Sequence, residues 1–441
     1  KAVRRACAGR VLKVILETGE LADEAAITRA CRIALSAGAD FLKTSTGKVR
    51  VNATLPAARL LLQAIADDQT SHRGRPVHVL IIGDSHSASD NIWGALRNPL
   101  QARSGYGGRG VLPAGKPYLG FLPQGVHIDQ TEGWTVQSVL KDADAGHPFG
   151  LSGFRLTAQH DGAALTLTAE PSQSFNRLVV CARDAPGAGT LVVDFGPTQS
   201  RVSLSAQTPG EVCTAFQVKD QASRASLTTE GPVTLTSWAT FNDAGGVAVS
   251  NLGVVGATLA DFARTNDAAV AEELRAYQPD LIVLEFGTND GFVGHFDGPA
   301  FEALLRAQIQ RVRKLSGGAP ILVLGAPDAN SNRPGQRSNA EGYAADTDPG
   351  GGPWYSPPGL RAVRAIQSRV ASEESVAYWD WAGRMGGPGY AQAWPHATPP
   401  LMRGDHVHYT LAGGARISAA LLEDLDKAAA AIPPMPMRPE Q

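Results

Sequence analysis

The stretch VLIIGDSHSASD, residues 79–90, joins an apolar run to a Gly-Asp turn that presents Ser85 beside His86. An apolar run of this length, bounded by a turn signal, predicts a buried strand. Side chains that follow such a strand lie at the carboxyl edge of a parallel sheet, where open α/β folds keep their sites. Ser85 is therefore a candidate nucleophile. The alternative is a serine that only caps the helix that follows.

The C-terminal half of the chain predicts further strands of the same sheet. Strand-like runs recur there, and a helical pattern follows each of them. They lie at residues 247–250, 281–286, 321–324 and 376–379. With the strand before Ser85, they predict a flavodoxin-like α/β domain with strand order 2-1-3-4-5. We expect this domain to comprise residues 76–125 and 246–428.

The chain between these two parts has a different pattern. Short alternating runs such as ALTLTAE, RLVVCAR and VTLTSWATF follow one another, separated by turn residues. This pattern predicts an antiparallel β-sandwich inserted into the α/β domain, at residues 126–245. Trp238 in this region could contact a sugar, but a tryptophan in a strand more often belongs to the core.

Two other predicted strand ends carry hydrogen-bond donors. VSNLGVVGATLADF, residues 249–262, runs into a turn at Gly256, and LIVLEFGTNDGF, residues 281–292, ends beside Asn289. In the strand order above, both ends adjoin Ser85. The backbone N–H groups of Ser85 and Gly256 and the Asn289 amide would then form an oxyanion hole. Each residue taken alone is also an ordinary turn residue.

RGDHVHYTLAGG, residues 403–414, offers a base with its own carboxylate. Asp405 and His408 are three positions apart before a helix, so the carboxylate can bind one imidazole nitrogen while the other faces the serine. His406 and His408 could instead form an H-x-H metal pair, but no third ligand has suitable spacing, and we predict neither a metal nor a cofactor. We expect His86 to contact substrate or line the rim.

These four blocks, in this order, resemble the SGNH (GDSL-type) hydrolases. The resemblance implies a three-layer fold in which Ser85 is the nucleophile, His408 the general base and Asp405 its partner. It implies Ser85, Gly256 and Asn289 as the oxyanion hole. One departure is His86, where the motif that names the family has Leu.

The inserted β-domain resembles the carbohydrate-binding-like insertion of peptidoglycan O-acetylesterases. This resemblance implies a serine esterase that deacetylates a cell-wall or other polysaccharide in the periplasm or outside the cell. Two alternatives remain open, a polysaccharide O-acetyltransferase and a non-catalytic carbohydrate-binding protein. No signal peptide is recognisable in the sequence.

Residues 1–66 resemble a different family, the deoxyribose-phosphate aldolases, and Lys43 in FLKTSTGK matches that family's Schiff-base lysine. A TIM barrel needs eight strands, and the pattern here, βαβα, contains two. We therefore expect residues 1–68 to be a partial TIM-barrel fragment without aldolase activity. Our hypothesis is a chimeric N-terminus, joined to the hydrolase near residues 68–75.

The composition excludes several partner classes. The 441 residues carry a formal net charge of −2, so neither nucleic acid nor an anionic membrane is an expected partner. No apolar run reaches the roughly 18 residues of a membrane span. The pattern favours two free thiols at Cys181 and Cys213, whereas a disulfide would need an oxidising compartment. The tail at residues 429–441 is Pro-rich, and we expect it to be disordered. Oligomeric state is not predicted.

Overall fold

The computed structural model describes residues 13–16, 24–37, 39, 41–43, 74–142, 148–333 and 354–430. Near the N-terminus, strands β1 (Lys13–Ile15) and β2 (Phe41–Lys43) pair in parallel, and helix α1 (Glu24–Ser36) lies between them in sequence. This is the predicted βαβ order, and Lys43 ends β2. The second helix of the predicted βαβα pattern, expected at residues 55–67, lies outside the described residues. So do most of the predicted boundary and most of the Pro-rich tail.

The remaining strands and helices of the described residues are numbered here in chain order. The strands are β3 (Val77–Gly83), β4 (Gly110–Pro113), β5 (Val126–Gln130), β6 (Trp134–Ser138), β7 (Phe154–Ala158), β8 (Ala164–Ala169), β9 (Phe175–Asp184), β10 (Thr190–Phe195), β11 (Thr198–Ser203), β12 (Gly210–Ala222), β13 (Arg224–Glu230), β14 (Val233–Phe241), β15 (Val247–Gly253), β16 (Leu281–Glu285), β17 (Ile321–Leu324) and β18 (Ala377–Trp379). The helices are α2 (Ser85–Ala88), α3 (Asp90–Ser104), α4 (Val139–Asp142), α5 (Leu259–Ala263), α6 (Asp267–Tyr277), α7 (Thr288–Gly291), α8 (Gly298–Leu315), α9 (Pro358–Glu373), α10 (Trp381–Met385), α11 (Tyr390–Ala393) and α12 (Leu411–Ala430).

A five-stranded parallel sheet forms the centre of the α/β part, in the order β15-β3-β16-β17-β18. This is the order 2-1-3-4-5 that the sequence predicts. Because side chains alternate along a strand, Leu80 and Ile82 of β3 face helices α8 and α9, whereas Ile81 faces α3 and α12. Burying each such side chain contributes about 1.5–3 kcal/mol. The result is a three-layer fold.

Two antiparallel sheets lie between β3 and β15 in sequence. One has the order β11-β10-β13-β8-β5, and the other has the order β12-β9-β14-β7-β6, with β4 paired to β14. Leu167 and Leu227 from the first sheet and Leu178 and Leu235 from the second pack in one core. Trp238, 1% exposed, belongs to that core and is not available to a sugar.

The six-stranded sheet also packs against the α/β part. Val179 and Phe241 of this sheet share a second core with Leu80 and Leu252 of the parallel sheet. Strand β4, which pairs with β14, precedes residue 126, so antiparallel pairing begins earlier than the sequence pattern indicated. The inserted strands are therefore part of the core of the whole chain.

Cys181 and Cys213 form a disulfide. They lie directly opposite each other on the antiparallel strands β9 and β12, with Cα atoms 4.0 Å apart. Opposed residues of an antiparallel pair bring their Cβ atoms within bonding reach of a disulfide. The expectation of two free thiols was wrong, because strand register cannot be read from the spacing of two cysteines.

None of the helices in the described ranges is both long enough and apolar enough to cross a membrane.

Candidate active site

The turn after β3 presents Ser85 at the edge of the parallel sheet. Asp84 caps the short helix α2, its Oδ1 accepting from the backbone N–H of His86, and Ser85 is the first helical residue. Gly83 is required before this turn, because a Cβ there would lie 2.3 Å from the carbonyl oxygen of Glu285. The Ser85 side chain keeps access to the surface, since the residue is 9% exposed.

The loop before α12 brings a histidine to this serine. His408 Nε2 lies 2.9 Å from Ser85 Oγ, and His408 Nδ1 lies 2.9 Å from Asp405 Oδ2. The other oxygen of Asp405 accepts from the backbone N–H groups of Val407 and His408, at 3.0 and 2.9 Å. The structure thus places the three residues predicted as nucleophile, base and orienting carboxylate in one hydrogen-bonded chain.

Asp405 is held in its ionised form. Partial burial alone would raise the pKa of its carboxyl group, but hydrogen bonds from the His408 ring and from the backbone of His408 and Val407 oppose that effect. The net result is a pKa well below the ordinary value for Asp405. An ionised carboxylate fixes the proton of His408 on Nδ1 and leaves Nε2 free to accept from Ser85.

The ends of β15 and β16 adjoin the nucleophile turn, as predicted. Gly256 lies in an exposed turn after β15 with φ of 85°, a conformation that favours glycine. Asn289 Nδ2 donates to the carbonyl oxygen of Ala257 at 2.9 Å and to Asp84 Oδ2 at 3.2 Å. The Asn289 amide therefore ties the Gly256 turn to the residue that precedes Ser85.

Two known families match different parts of the chain. Residues 226–416 match the model of the GDSL-like lipase/acylhydrolase family. This part of the chain is therefore similar to the GDSL-like hydrolases. The matched residues contain Gly256, Asn289, Asp405 and His408, and the geometry above adds Ser85 to them. The predicted resemblance to this family is confirmed, and ester hydrolysis is the chemistry that the family's description denotes.

The overall fold matches that of a known esterase. A solved peptidoglycan O-acetylesterase shares the fold with a TM-score of 0.67 and 24% identity, over 86% of this chain and 97% of that one. A family two carbohydrate esterase from Cellvibrio japonicus is more distant, at a TM-score of 0.28 and 14% identity over 69% of this chain and 98% of that one. The first of these matches confirms the predicted α/β fold.

The N-terminal part matches an aldolase, also as predicted. Residues 1–82 match the DeoC/LacD aldolase family model, so the match extends into β3. The deoxyribose-phosphate aldolase of Agrobacterium fabrum is 68% identical over 69 residues, which are 15% of this chain and 27% of that protein. The chain thus spans about a quarter of this relative's length.

His86 is buried and does not line the rim of the candidate site, so that prediction was wrong. The residue is 2% exposed. Its Nδ1 lies 3.1 Å from Asp84 Oδ1 and its Nε2 lies 3.1 Å from the carbonyl oxygen of Val407. A residue on the first turn of α2 points into the protein when its neighbour Ser85 points out, and His86 takes that inward direction.

The side chains of His406 and His408, considered above as a metal-binding pair, face different parts of the structure. His406, 4% exposed and with φ of 57°, stacks on Trp354 with ring centroids 3.9 Å apart, while His408 faces Ser85. One buried group within the described residues does have the spacing to hold a metal ion, formed by Asp84, His86 and Glu285, whose ligand atoms lie within 4.8 Å of one another. In this structure those atoms bond to each other and to neighbouring donors.

Glu285 is the residue of this site that sequence reasoning missed. It ends β16 and is 1% exposed; its Oε2 accepts from Ser87 Oγ at 2.8 Å and from the backbone N–H of Asp84 at 3.3 Å. Burial and the adjacent Asp84 raise the pKa of Glu285 well above its ordinary value. A glutamate closing an otherwise apolar strand, in LIVLEF, is the signal that could have identified it.

A groove of about 640 Å³ is linked to helix α2 through one of its lining residues, Tyr118. Its walls come from the loop at residues 116–123 and from strands β5 and β6. Tyr118 in this loop donates from its hydroxyl to the carbonyl oxygen of Ala88, the last residue of α2. Leu119 and Leu122 on the same loop are largely exposed. The groove is therefore a candidate surface for the part of a substrate beyond the reacting ester.

Proposed function

We propose that the protein is a serine esterase that removes acetyl groups from a bacterial cell-wall or other polysaccharide through an acyl-enzyme on Ser85. The observation that carries the proposal is the hydrogen-bonded chain from Asp405 through His408 to Ser85. Acyl transfer to a serine needs a base to take the hydroxyl proton and a group that holds the base in the correct tautomer. His408 and Asp405 lie at hydrogen-bonding distance for these two tasks.

The first half of the reaction forms the acyl-enzyme. His408 Nε2 takes the proton of Ser85 Oγ as that oxygen attacks the acetyl carbonyl carbon. The backbone N–H groups of Ser85 and Gly256 stabilise the oxyanion that develops. The Asn289 amide joins them by exchanging its 3.2 Å bond to Asp84 Oδ2 for one to the oxyanion. When the tetrahedral intermediate collapses, the bond to the sugar oxygen breaks and His408 gives that oxygen its proton. Acetyl-Ser85 and a free sugar hydroxyl result.

The second half releases acetate. His408 takes a proton from water, the resulting hydroxide attacks acetyl-Ser85, and collapse returns the proton to Ser85 Oγ. A sugar hydroxyl in place of water would give an O-acetyltransferase. His408 is 39% exposed and Asp405 45% exposed in their side chains, so the base and its carboxylate lie at the surface beside the nearly buried Ser85. An open site with an adjoining groove fits a polymer that carries its ester as a side group.

The substrate class and location rest on two further supports. The solved structure with a similar fold is a peptidoglycan O-acetylesterase, of which this chain covers 97%. The Cys181–Cys213 disulfide fits an oxidising compartment such as the periplasm or the cell exterior. Both observations support our proposal that the substrate lies in the cell envelope.

The test is acetate release from O-acetylated peptidoglycan, compared with O-acetylated xylan and with chemically de-acetylated peptidoglycan as the blank. We expect release from peptidoglycan by the wild type and none above the blank by Ser85→Ala. Equal release by Ser85→Ala would reject the mechanism. Release from xylan alone would reject the cell wall as substrate, and transfer to an added sugar without release would identify a transferase.

A further inference from the structure

The buried ring of His86 connects the two halves of the site. Its Nδ1 lies 3.1 Å from Asp84 Oδ1, on the turn that carries Ser85. Its Nε2 lies 3.1 Å from the carbonyl oxygen of Val407, on the loop that carries His408. Since His86 directly follows Ser85 in sequence, and Val407 directly precedes His408, each bond is made one residue away from a reacting side chain.

Both partners of the ring are hydrogen-bond acceptors. The carbonyl of Val407 has no proton to give. Asp84 already accepts at Oδ1 from the backbone of His86 and at Oδ2 from Asn289, which is the pattern of an ionised carboxylate. A neutral imidazole carries only one N–H group and can therefore satisfy only one of these acceptors. Both bonds together require a doubly protonated ring.

We propose that His86 is a positioning residue, an imidazolium at neutral pH that ties the turn carrying Ser85 to the loop carrying His408 and so sets the distance between these two side chains. The proposal rests on the proposed function, because it assigns His86 a task in that reaction. Its two ring nitrogens bond to Asp84 and Val407 and not to the serine hydroxyl. It acts through the backbone on either side.

The bonds close a ring of contacts around the reacting pair. Ser85 is joined covalently to His86, His86 bonds to Val407, and Val407 is joined covalently to His408, which returns to Ser85 at 2.9 Å. The peptide between Val407 and His408 is held on both sides, since its carbonyl accepts from His86 and its N–H donates to Asp405. Removing the bond from His86 leaves this peptide free to rotate on one side.

The groups that face His86 support its charge. Asp84 and the buried Glu285 are the carboxyl groups around it, and the rings of Tyr409 and His408 lie 5.5 and 5.8 Å from its own. Burial alone would lower the pKa of His86, but Asp84 first and Glu285 second raise it to about 9. The ring is therefore charged at neutral pH.

Two substitutions of His86 each preserve a different one of its two side-chain hydrogen bonds. In His86→Gln the side-chain amide reaches the position of Nε2 and can still donate to Val407. In His86→Asn the shorter amide reaches the position of Nδ1 and can donate only to Asp84. We expect His86→Asn to lower kcat for an aryl acetate roughly 10–100-fold with KM within about threefold, because misplacement by about 1 Å costs that much. His86→Gln should keep kcat within about fivefold of the wild type.

His78 provides a matched control. It is also a buried histidine, 1% exposed, near the start of strand β3, and its ring nitrogens bond to Tyr277 and Ser250. His78→Asn should lower thermal stability and leave kcat unchanged. If His78→Asn lowers kcat as much as His86→Asn, the effect is a general loss of packing and the proposal is overturned. Equal kcat in His86→Asn and the wild type overturns it too.

The charge state has its own readout, which does not depend on activity. The ¹⁵N spectrum of labelled protein should show both His86 ring nitrogens protonated at pH 7, and kcat should fall above pH about 9 in the wild type but not in His86→Gln. A neutral ring at pH 7, or a stoichiometric metal ion at this position by mass spectrometry, overturns the proposal. If the wild-type protein has no esterase activity, the proposed function is contradicted. The ¹⁵N spectrum then still shows whether the His86 ring is charged.

Discussion

His408 Nε2 lies 2.9 Å from Ser85 Oγ, although 323 positions separate the two residues in sequence. One stands at the end of the first strand of the parallel sheet and the other on the loop before the last helix. Formation of this contact therefore depends on the completed fold.

Removing either end of this contact should abolish turnover. We expect Ser85→Ala and His408→Ala to lower kcat/KM for an aryl acetate by at least roughly 10⁴-fold, since nucleophile and base act as a unit. The double variant should be no worse than either single variant. Folding is checked by the thermal midpoint. Losses that multiply in the double variant would contradict a shared step.

Asp405→Asn tests the orienting carboxylate with the loop preserved. The remaining carbonyl oxygen can still accept from the backbone of Val407 and His408, while the new NH₂ group cannot accept from His408 Nδ1. The ring then loses its correct tautomer, and we expect kcat to fall roughly 10²–10⁴-fold. Asp405→Ala also loses the loop contacts and should raise KM in addition. A kcat within twofold for Asp405→Asn would refute the role.

The disulfide between β9 and β12 should stabilise the whole molecule. The two cysteines are 32 positions apart, and closing a loop of that length contributes about 3–4 kcal/mol to the free energy of unfolding on the chain-entropy account. We expect a Cys181→Ala, Cys213→Ser double variant to melt at lower temperature than the oxidised wild type. Reductant should lower the wild-type midpoint to the same value and leave the variant unchanged. Insensitivity of the wild type to reductant would count against the disulfide.

Glu211 should make stability depend on pH. Burial, with a smaller contribution from Glu273, raises the pKa of Glu211 to about 8 from an ordinary 4.5. Between these values the folded protein binds more protons than the unfolded chain, so stability falls as pH rises through this window. Glu211→Gln should remove part of that fall and gain roughly 1–3 kcal/mol at pH 8.5. Melting curves at pH 5 and 8.5 test this, with exposed Glu132→Gln as the control.

The α/β part could be predicted closely because its signals are local. Short apolar runs ended by turns give the buried strands, and the run at 321–324 coincides with Ile321–Leu324. The contacts of Ser85, Asp405 and His408 could be predicted as well, since parallel strand ends meet at one edge and two of the three residues share a loop. Their catalytic roles stay a prediction that the variants above test.

The features that the sequence did not indicate depend on long-range packing. The direction of His86 follows from how α2 seats against the base loop, and the bonding of Cys181 to Cys213 follows from the register of β9 and β12. Neither is encoded in the spacing of neighbouring residues. Glu285 stands between these cases: its place at the end of an apolar strand is a sequence signal, but its contact with Asp84 appears only in the folded turn.

The six-stranded sheet contributes one face to the sandwich core and the other to the core of the α/β part. A segment that shares its interior with its host cannot be exchanged for another without exposing apolar surface on both. In this architecture, a change of substrate range therefore has to arise in surface loops such as residues 116–123, one substitution at a time. Replacing the sandwich with an unrelated binding module should destabilise the α/β part. A protease acting on the native protein should release no sandwich fragment that stays folded alone.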